Sequence, residues 1–449
     1  MKKNSFYLVS LGCAKNTVDS NSMAQLLQQD GYEAVNDPAE AEVILVNTCG
    51  FIEPAREESY AVLSELVQEK KDNQLLIAAG CLTQRYGKEV LERVSGIDGL
   101  LGTRRWMDIL QVVQKLRKDG QPQPLYHLPE AEIVGQNPDG ILGAYYQGGS
   151  AYLKVADGCR RPCAFCAIPS IKGTASSRSL EEILEDARGL QSRGVSEINL
   201  IAQDTTDYGS DLGQKNGLAG LLEALTKEVP DVNWFRILYA YPGFITDRLI
   251  DVMAKSSQIL PYIDIPLQHA DPEVLQKMRR PANMDWVYGT VEKLRRKMPD
   301  LAIRTTFIVG YPGETDQAFQ KLVDFVEEIR FDRVGTFKFS FEPGTTSEIY
   351  GDPVPPHVKE ERQEILMLKQ QEISLQINQA IIGKSLDVLI EGTGEVEGSN
   401  EVISLGRSYR DAPEIDGMVI VEGALPEGEI VPVKVTGAMV YDLTAVPLL

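Results

Sequence analysis

The sequence predicts an α/β chain in three units: an open parallel sheet of the Rossmann or flavodoxin type, a partial (β/α)6 barrel, and a small antiparallel β-barrel of OB-like type. Three observations carry this. Apolar runs of strand length alternate with amphipathic stretches through residues 1–125, and the same rhythm resumes from 151 to about 374. Beyond residue 380, short alternating runs are separated by Gly, Asn, Pro and Asp. Continuous apolar runs mark parallel strands covered on both faces, whereas alternation marks a half-buried antiparallel sheet. A length of 449 residues suffices for about three ordinary domains.

In the first unit (1–125), the runs at 6–11, 43–46 and 75–79 read as buried strands, with helices at 19–30 and 54–71 between them. Cys13, Cys49 and Cys81 each lie one to three residues past such a strand. In an open parallel sheet the carboxyl ends of adjacent strands share one ligand-binding edge, so these three thiols should converge. Three separate buried thiols are the plain alternative, since free Cys is ordinarily buried. A stretch rich in Pro, Gly and Gln follows, opening with Gln121-Pro122-Gln123-Pro124, and residues 126–149 read as a linker.

The second unit (150–379) should hold strands near 152–156, 197–202, 235–239, 262–266, 303–309 and 335–341, giving an incomplete barrel. Chemistry belongs at the C-terminal ends of such strands. Cys159 lies just past the first, while Gln203-Asp204, Gln268-His269 and Gly310-Tyr311-Pro312-Gly313-Glu314 lie past others. In the third unit (380–449), runs at 386–390, 402–405, 418–421, 430–435 and 438–443 read as a closed barrel. From Lys384 onward, four basic residues (Lys384, Arg407, Arg410, Lys434) stand against twelve acids.

The formal net charge of the whole chain is −20. Nucleic-acid binding calls for clustered Lys and Arg, so this balance favours a basic protein partner. A solvated acidic face kept for solubility is the bland alternative. No run approaches the roughly 18 apolar residues of a membrane span. Met1-Lys2-Lys3 followed by the run at 6–11 imitates a signal peptide, but that run is shorter than the roughly 7–15 residues required.

All six cysteines fall into two sets of three. They are too few for a disulfide scaffold, which points to a reducing, cytoplasmic compartment and to metal ligation. Cys159, Cys163 and Cys166 form a compact C-x₃-C-x₂-C loop. Three thiolates can hold three irons of a 4Fe–4S cluster, and the remaining iron can then chelate S-adenosylmethionine. Zinc is the rival; it needs a fourth ligand, and only His127, His269 and His357 could supply an imidazole. Phe165 is a candidate wall for the adenine, although ordinary packing explains it equally well. Arg178 and Asp204 are candidates for gripping polar groups of the cofactor. His269 reads equally as a satisfied core histidine.

Asp157-Gly158-Cys159-Arg160-Arg161-Pro162-Cys163-Ala164-Phe165-Cys166, continuing to Ser177-Arg178, resembles the radical S-adenosylmethionine loop of the methylthiotransferases. Ser10-Leu11-Gly12-Cys13-Ala14-Lys15-Asn16 and Asn47-Thr48-Cys49-Gly50-Phe51-Ile52 resemble the N-terminal domain peculiar to that family, and the C-terminal barrel is similar to its TRAM module. The resemblance covers essentially the whole chain. It implies two 4Fe–4S clusters facing each other across the barrel mouth: a radical cluster on Cys159, Cys163 and Cys166, and an auxiliary one on Cys13, Cys49 and Cys81. It further implies that the auxiliary cluster carries a sulfur species, which a second S-adenosylmethionine methylates, and that an electron donor such as flavodoxin or ferredoxin serves the reaction.

One branch of the family modifies an adenosine in tRNA, and the other modifies an aspartate of small-subunit ribosomal protein S-twelve (uS12). Cys13-Ala14-Lys15-Asn16 with Val18-Asp19-Ser20, and the segment Gly406-Arg407-Ser408-Tyr409-Arg410-Asp411-Ala412-Pro413-Glu414-Ile415-Asp416-Gly417, resemble the protein-modifying branch. Asn21 stands where an acid is expected. The substrate so implied is the Lys/Arg-rich uS12 rather than tRNA, in keeping with the acidic barrel.

Overall fold

The computed structural model describes residues 2–119, 124–396, 398 and 401–448. Residues 121–123 of the Pro- and Gln-rich stretch ahead of the expected linker, and Glu397 of the acidic barrel, lie outside the described residues. The first sheet contains β1 (Ser5–Ser10), β2 (Glu33–Ala34), β3 (Val43–Thr48), β4 (Leu75–Gly80), β5 (Gly99–Gly102) and β6 (Leu125–His127). All pairings are parallel, in the order β2-β1-β3-β4-β5-β6. Helices α1 (Ala14–Gln29), α2 (Glu53–Glu69) and α3 (Cys81–Tyr86) follow β1, β3 and β4. Because β1, β3 and β4 are neighbours, their carboxyl ends share one edge. Every residue of β3 is buried, as a strand covered on both faces must be.

The second sheet begins with β7 (Ala144–Gln147), antiparallel to β8 (Ser150–Lys154). A minor hairpin of β9 (Ala156–Asp157) and β10 (Ser176–Ser177) brackets the cysteine loop. Then come β11 (Glu197–Ile201), β12 (Trp234–Ile237), β13 (Ile259–Asp264), β14 (Ala302–Val309) and β15 (Arg333–Lys338). Strands β8 and β11 to β15 are parallel throughout, forming the expected six-stranded partial barrel. The third sheet closes as a five-stranded barrel of β16 (Ser385–Glu395), β17 (Val402–Ser408), β18 (Val419–Glu422), β19 (Ile430–Ala438) and β20 (Leu443–Pro447). Its seams are antiparallel except the one between β18 and β20.

Two expectations need correction. The stretch read as a linker (126–149) carries structure at both ends, since β6 runs to His127 and joins the first sheet, while β7 joins the second. Such short strands beside Gly- and Pro-rich sequence give little periodicity. The fifth barrel strand lies at Leu443–Pro447, not 438–443. A bulge near Val435 prolongs β19 to Ala438, and residues 439–442 turn the chain.

The three units are packed on one another. A single apolar cluster takes Val18 from α1, Tyr152, Trp234 and Tyr262 from the partial barrel, and Leu389 and Ala412 from the C-terminal barrel. Buried charge pairs fix this arrangement. Glu197 at the start of β11 is fully buried and accepts from Arg236 (2.9 Å) and from Arg407 of the C-terminal barrel (2.5 Å). Arg333 pairs with Asp411 at 2.7 Å, and Arg410 pairs with Asp332 at 3.1 Å. The segment 406–417 is thus a plug seated in the partial barrel. On the opposite flank, Glu342 after β15 pairs with Arg56 of α2 and Arg85 of α3.

Burial alone would raise the Glu197 carboxyl, but the Arg407 and Arg236 guanidiniums outweigh it and hold the group at about 2. A carboxylate depressed from an ordinary value of about 4.3 stabilises the fold fully above that pH, and this contribution is lost as pH falls toward 2. Glu197→Gln would strand two buried guanidiniums and is expected to cost about 3–5 kcal/mol. Urea titrations at pH 7 would read this loss, and the acid-side slope between roughly pH 4.3 and 2 should flatten in the variant.

Candidate metal centres

The first three cysteines all lie at the carboxyl edge of the first sheet. Cys13 is the N-cap of α1, Cys49 follows β3, and Cys81 opens α3. Backbone approach is close enough to require glycine: a Cβ at Gly12 would lie 2.8 Å from Cys49 Cβ, and one at Gly50 would lie 2.6 Å from Leu82 Cα. Asn16 fastens the edge. Its Nδ2 donates to the carbonyls of Leu11 (2.9 Å) and Thr48 (3.2 Å), and its Oδ1 faces Cys81 Sγ at 3.7 Å. Cys13 is exposed, while Cys49 and Cys81 are buried. Burial pushes the Cys49 thiol up and the Cys81 thiol up to about 12, with Lys172 pulling in the opposite direction on both.

The second three lie on the loop between β9 and the helix Ile168–Lys172. Each sulfur faces one N–H donor at 3.5 Å: the Arg161 amide toward Cys159, the Ile168 amide toward Cys166, and Arg280 Nη1 toward Cys163. Tyr241 Oη also lies 3.9 Å from Cys163. Burial pushes Cys159 up to about 11 and Cys166 up to about 12, each opposed by its amide donor. Such thiols keep their protons until a metal displaces them. The donor set fits an iron–sulfur cluster, whose sulfurs accept N–H bonds of this kind. It suits zinc less well. His127 is bonded to Asp108 at 2.7 Å, and His269 lies in the core. His269 Nδ1 accepts the Asp271 amide (2.9 Å), so its Nε2 proton is directed at Glu314 (3.0 Å). The core reading of His269 is the correct one.

The two triads adjoin. Cys81 shares an apolar contact cluster with Ala167 and Ile171, directly after Cys166. Beneath both triads lies a buried quartet of charges. Asp19 of α1 binds Lys154 and Lys172 (2.9 Å to the latter), and Asp157 binds the same two lysines at 2.6 and 3.1 Å. All four residues are at most 7% exposed. Burial alone would lower Lys172, but Asp157 and Asp19 hold it well above its ordinary range; burial opposes and Lys154 and Lys172 enforce the depression of Asp157. The sequence motifs contained Asp19 and Asp157, but nothing in them showed that these residues share partners.

The three cofactor candidates differ in their surroundings. Phe165 is partly buried and packs against the cluster of Val274, Met278, Tyr311, Ala318 and Phe339. Arg178 is engaged internally, donating to the Lys154 carbonyl (3.0 Å) and to Asp186 (2.7 Å). Asp204 accepts from Arg161 (2.6 Å), whose guanidinium lies over the rings of Tyr241 and Phe244. Arg161, Tyr241 and Arg280 escaped sequence reasoning, because only the fold carries two of them to the loop.

Fold and loop together define a radical S-adenosylmethionine enzyme, a class that works with an iron–sulfur cluster and S-adenosylmethionine. Residues 153–326 match the radical SAM superfamily, residues 382–448 match the TRAM domain, and residues 5–102 match Uncharacterized protein family UPF0004. The chain is 46% identical to the ribosomal protein uS12 methylthiotransferase RimO of Chloroflexus aurantiacus, covering 98% of each chain. It is 44% identical to RimO of Herpetosiphon aurantiacus over 98% of each, and 42% identical to that of Aquifex aeolicus over 97% of this chain and 95% of that one. The chain therefore belongs to the RimO family of methylthiotransferases. Among solved structures, the radical S-adenosylmethionine methyltransferase TsrM from Kitasatospora setae shares its fold, with a TM-score of 0.59 at 14% identity over 86% of this chain and 81% of that one. No helix among the described residues is long and apolar enough to cross a membrane.

Gly158 adopts φ +69°, and a Cβ there would lie 2.1 Å from the Thr174 carbonyl oxygen. Gly158→Ala should therefore distort the second loop and lower the iron retained per chain after anaerobic reconstitution. Unchanged far-ultraviolet circular dichroism would show that the rest of the fold is intact.

Proposed function

We propose that the chain inserts a methylthio group at the β-carbon of an aspartate of ribosomal protein uS12, using two 4Fe–4S clusters. Cys159, Cys163 and Cys166 would hold the radical cluster, and Cys13, Cys49 and Cys81 the auxiliary one. When bound, the first supplies the electron that cleaves S-adenosylmethionine to a carbon radical, and the second presents the sulfur. The observation that supports this reading is the contact of Cys81 with Ala167 and Ile171, which sets one cysteine of the first triad against the helix that follows the second.

The chain's own groups then have definable tasks. The N–H donors at the three loop sulfurs stabilise thiolate charge, and Arg280 reaches Cys163 from across the barrel mouth. Asp204 holds Arg161 and so braces the loop at the end of β11. The buried quartet fixes α1, which begins at Cys13, against both flanks of the second loop. Phe165 and the strand-end polar groups are left to line the cofactor site.

The exposed surface supports a basic protein substrate. In the C-terminal barrel, Arg407 and Arg410 are buried in ion pairs, whereas Asp387, Glu395, Glu414, Glu422, Glu427 and Glu429 are exposed. Asp411 and Asp416 are buried along with these two arginines, so the outward face keeps the acidic balance of the sequence, and opposite charge accelerates encounter with a Lys/Arg-rich partner. Flavodoxin or ferredoxin is the class of electron donor expected.

Incubation of reconstituted enzyme with uS12 and, separately, with tRNA tests the reading by mass. A methylthio adduct on the uS12 aspartate is expected and no change in tRNA. Cys163→Ala should abolish 5′-deoxyadenosine formation. Cys49→Ala should retain it while the thiolated product disappears, and loss of both in that variant contradicts the division between triads.

A further inference from the structure

Four lysines are more than nine-tenths buried: Lys15, Lys154, Lys172 and Lys359. Three of them are paired with carboxylates, Lys154 and Lys172 with Asp19 and Asp157, and Lys359 with Asp352. Lys15 is the exception, having no carboxylate or hydrogen-bond partner among the described residues. It is 7% exposed, and its ammonium sits over the Tyr239 ring, 3.4 Å from the centroid. A ring face attracts a cation by about 2 kcal/mol when desolvated. It leaves the charge uncompensated, and buried charges are otherwise paired.

The position of Lys15 is as informative as its lack of a partner. It lies in the first turn of α1, two residues past Cys13. Its neighbour Ala14 and its ring partner Tyr239 pack on the same cluster as Val18, Ile201 and Leu238. Ile201 closes β11 and Leu238 follows β12, so the ammonium sits at the mouth of the partial barrel. Tyr239 holds a left-handed backbone (φ +61°), fixed by its amide on Asp264 (3.2 Å) and its carbonyl on the Thr205 amide (3.0 Å). Two residues on, Tyr241 faces Cys163. Lys15 therefore stands two residues from Cys13 and over the strand end whose next residues lead to Tyr241, which faces Cys163.

The same rim carries two more unsatisfied groups. Gln203 Oε1 and Gln268 Oε1, beyond the ends of β11 and β13 on either side of Tyr239, are buried acceptors without partners. Buried polar atoms are paired in the great majority of cases, so two free acceptors flanking Tyr239 leave polar groups at this rim open to a donor. The strained backbone of Tyr239 agrees with a functional position.

We propose that Lys15 binds the side-chain carboxylate of the substrate aspartate. The inference rests on the uS12 reading above and adds the group that selects its residue. A carboxylate supplies the one negative charge that this ammonium lacks. The reacting β-carbon is bonded directly to the carboxylate carbon, so gripping the carboxylate places that carbon at the barrel mouth. A neutral side chain such as asparagine offers no such charge. A charge-assisted bond of this kind corresponds to about a ten- to hundredfold preference.

A cycle of variants on both partners tests it. The probe is a fluorescent uS12 peptide spanning the target aspartate, in Asp and Asn forms, titrated into reconstituted holoenzyme. The parent enzyme should bind the Asp form about ten- to hundredfold more tightly. Lys15→Met should bind both forms alike, with no further loss when the two changes are combined. Iron content matched to the parent shows that the variant is loaded, and Lys15→Gln is the second neutral variant should Met disturb the packing. A Lys15→Met or Lys15→Gln enzyme that keeps the Asp preference, or losses that multiply when combined, would overturn the proposal alone. Parent enzyme that neither binds nor modifies the Asp form would sink the substrate reading and this proposal with it.

Discussion

Two lysines and two aspartates, all buried, hold the first helix of the N-terminal sheet against the second cysteine loop. Asp19 belongs to the helix that starts at Cys13, Lys154 ends the first barrel strand, and Asp157 and Lys172 flank the second cysteine loop. No member can be removed without leaving an uncompensated buried charge, which costs several kcal/mol. The quartet is neutral as a set, so desolvating it is tolerable only in this assembled geometry. The proposed chemistry, in which a carbon radical must meet a sulfur held by the other triad, would need such a fixed separation, because a misplacement of about 1 Å can cost a hundredfold in rate.

The same logic recurs where the C-terminal barrel meets the partial barrel. Glu197, Asp411 and Asp332 anchor Arg407, Arg333 and Arg410 across that junction, and the plug 406–417 fills the end of the barrel with ion pairs rather than apolar side chains alone. Arg407 and Arg410 are buried together with Asp411 and Asp416, so the junction is charge-compensated within itself and the exposed face keeps the acidic balance of the unit.

Much of this was legible from residues alone. The strand-end placement of Cys13, Cys49 and Cys81 followed from apolar runs, because parallel strands buried on both faces declare themselves. The six strands of the partial barrel were legible for the same reason. The short strands at Leu125–His127 and Ala144–Gln147 were not, since three or four residues beside Gly and Pro carry no period. Site chemistry split along a similar line. Cysteine spacing singled out the candidate metal ligands, whereas Lys15, Tyr241 and Arg280 are unremarkable in sequence. Their meaning comes from strand order, which lays residues 15, 239 and 241 against one rim. Arg178 shows the converse, a residue in a suggestive motif that the fold uses as an internal tie to Asp186.

The central claim is that two iron–sulfur clusters occupy one cavity. Electron paramagnetic resonance of the anaerobically reconstituted, doubly reduced enzyme tests it directly. The account predicts spectra broadened or split by spin–spin coupling between two clusters, collapsing to an isolated signal in Cys49→Ala. A spectrum equal to the sum of two uncoupled centres, or one showing a single centre in the parent protein, would contradict it.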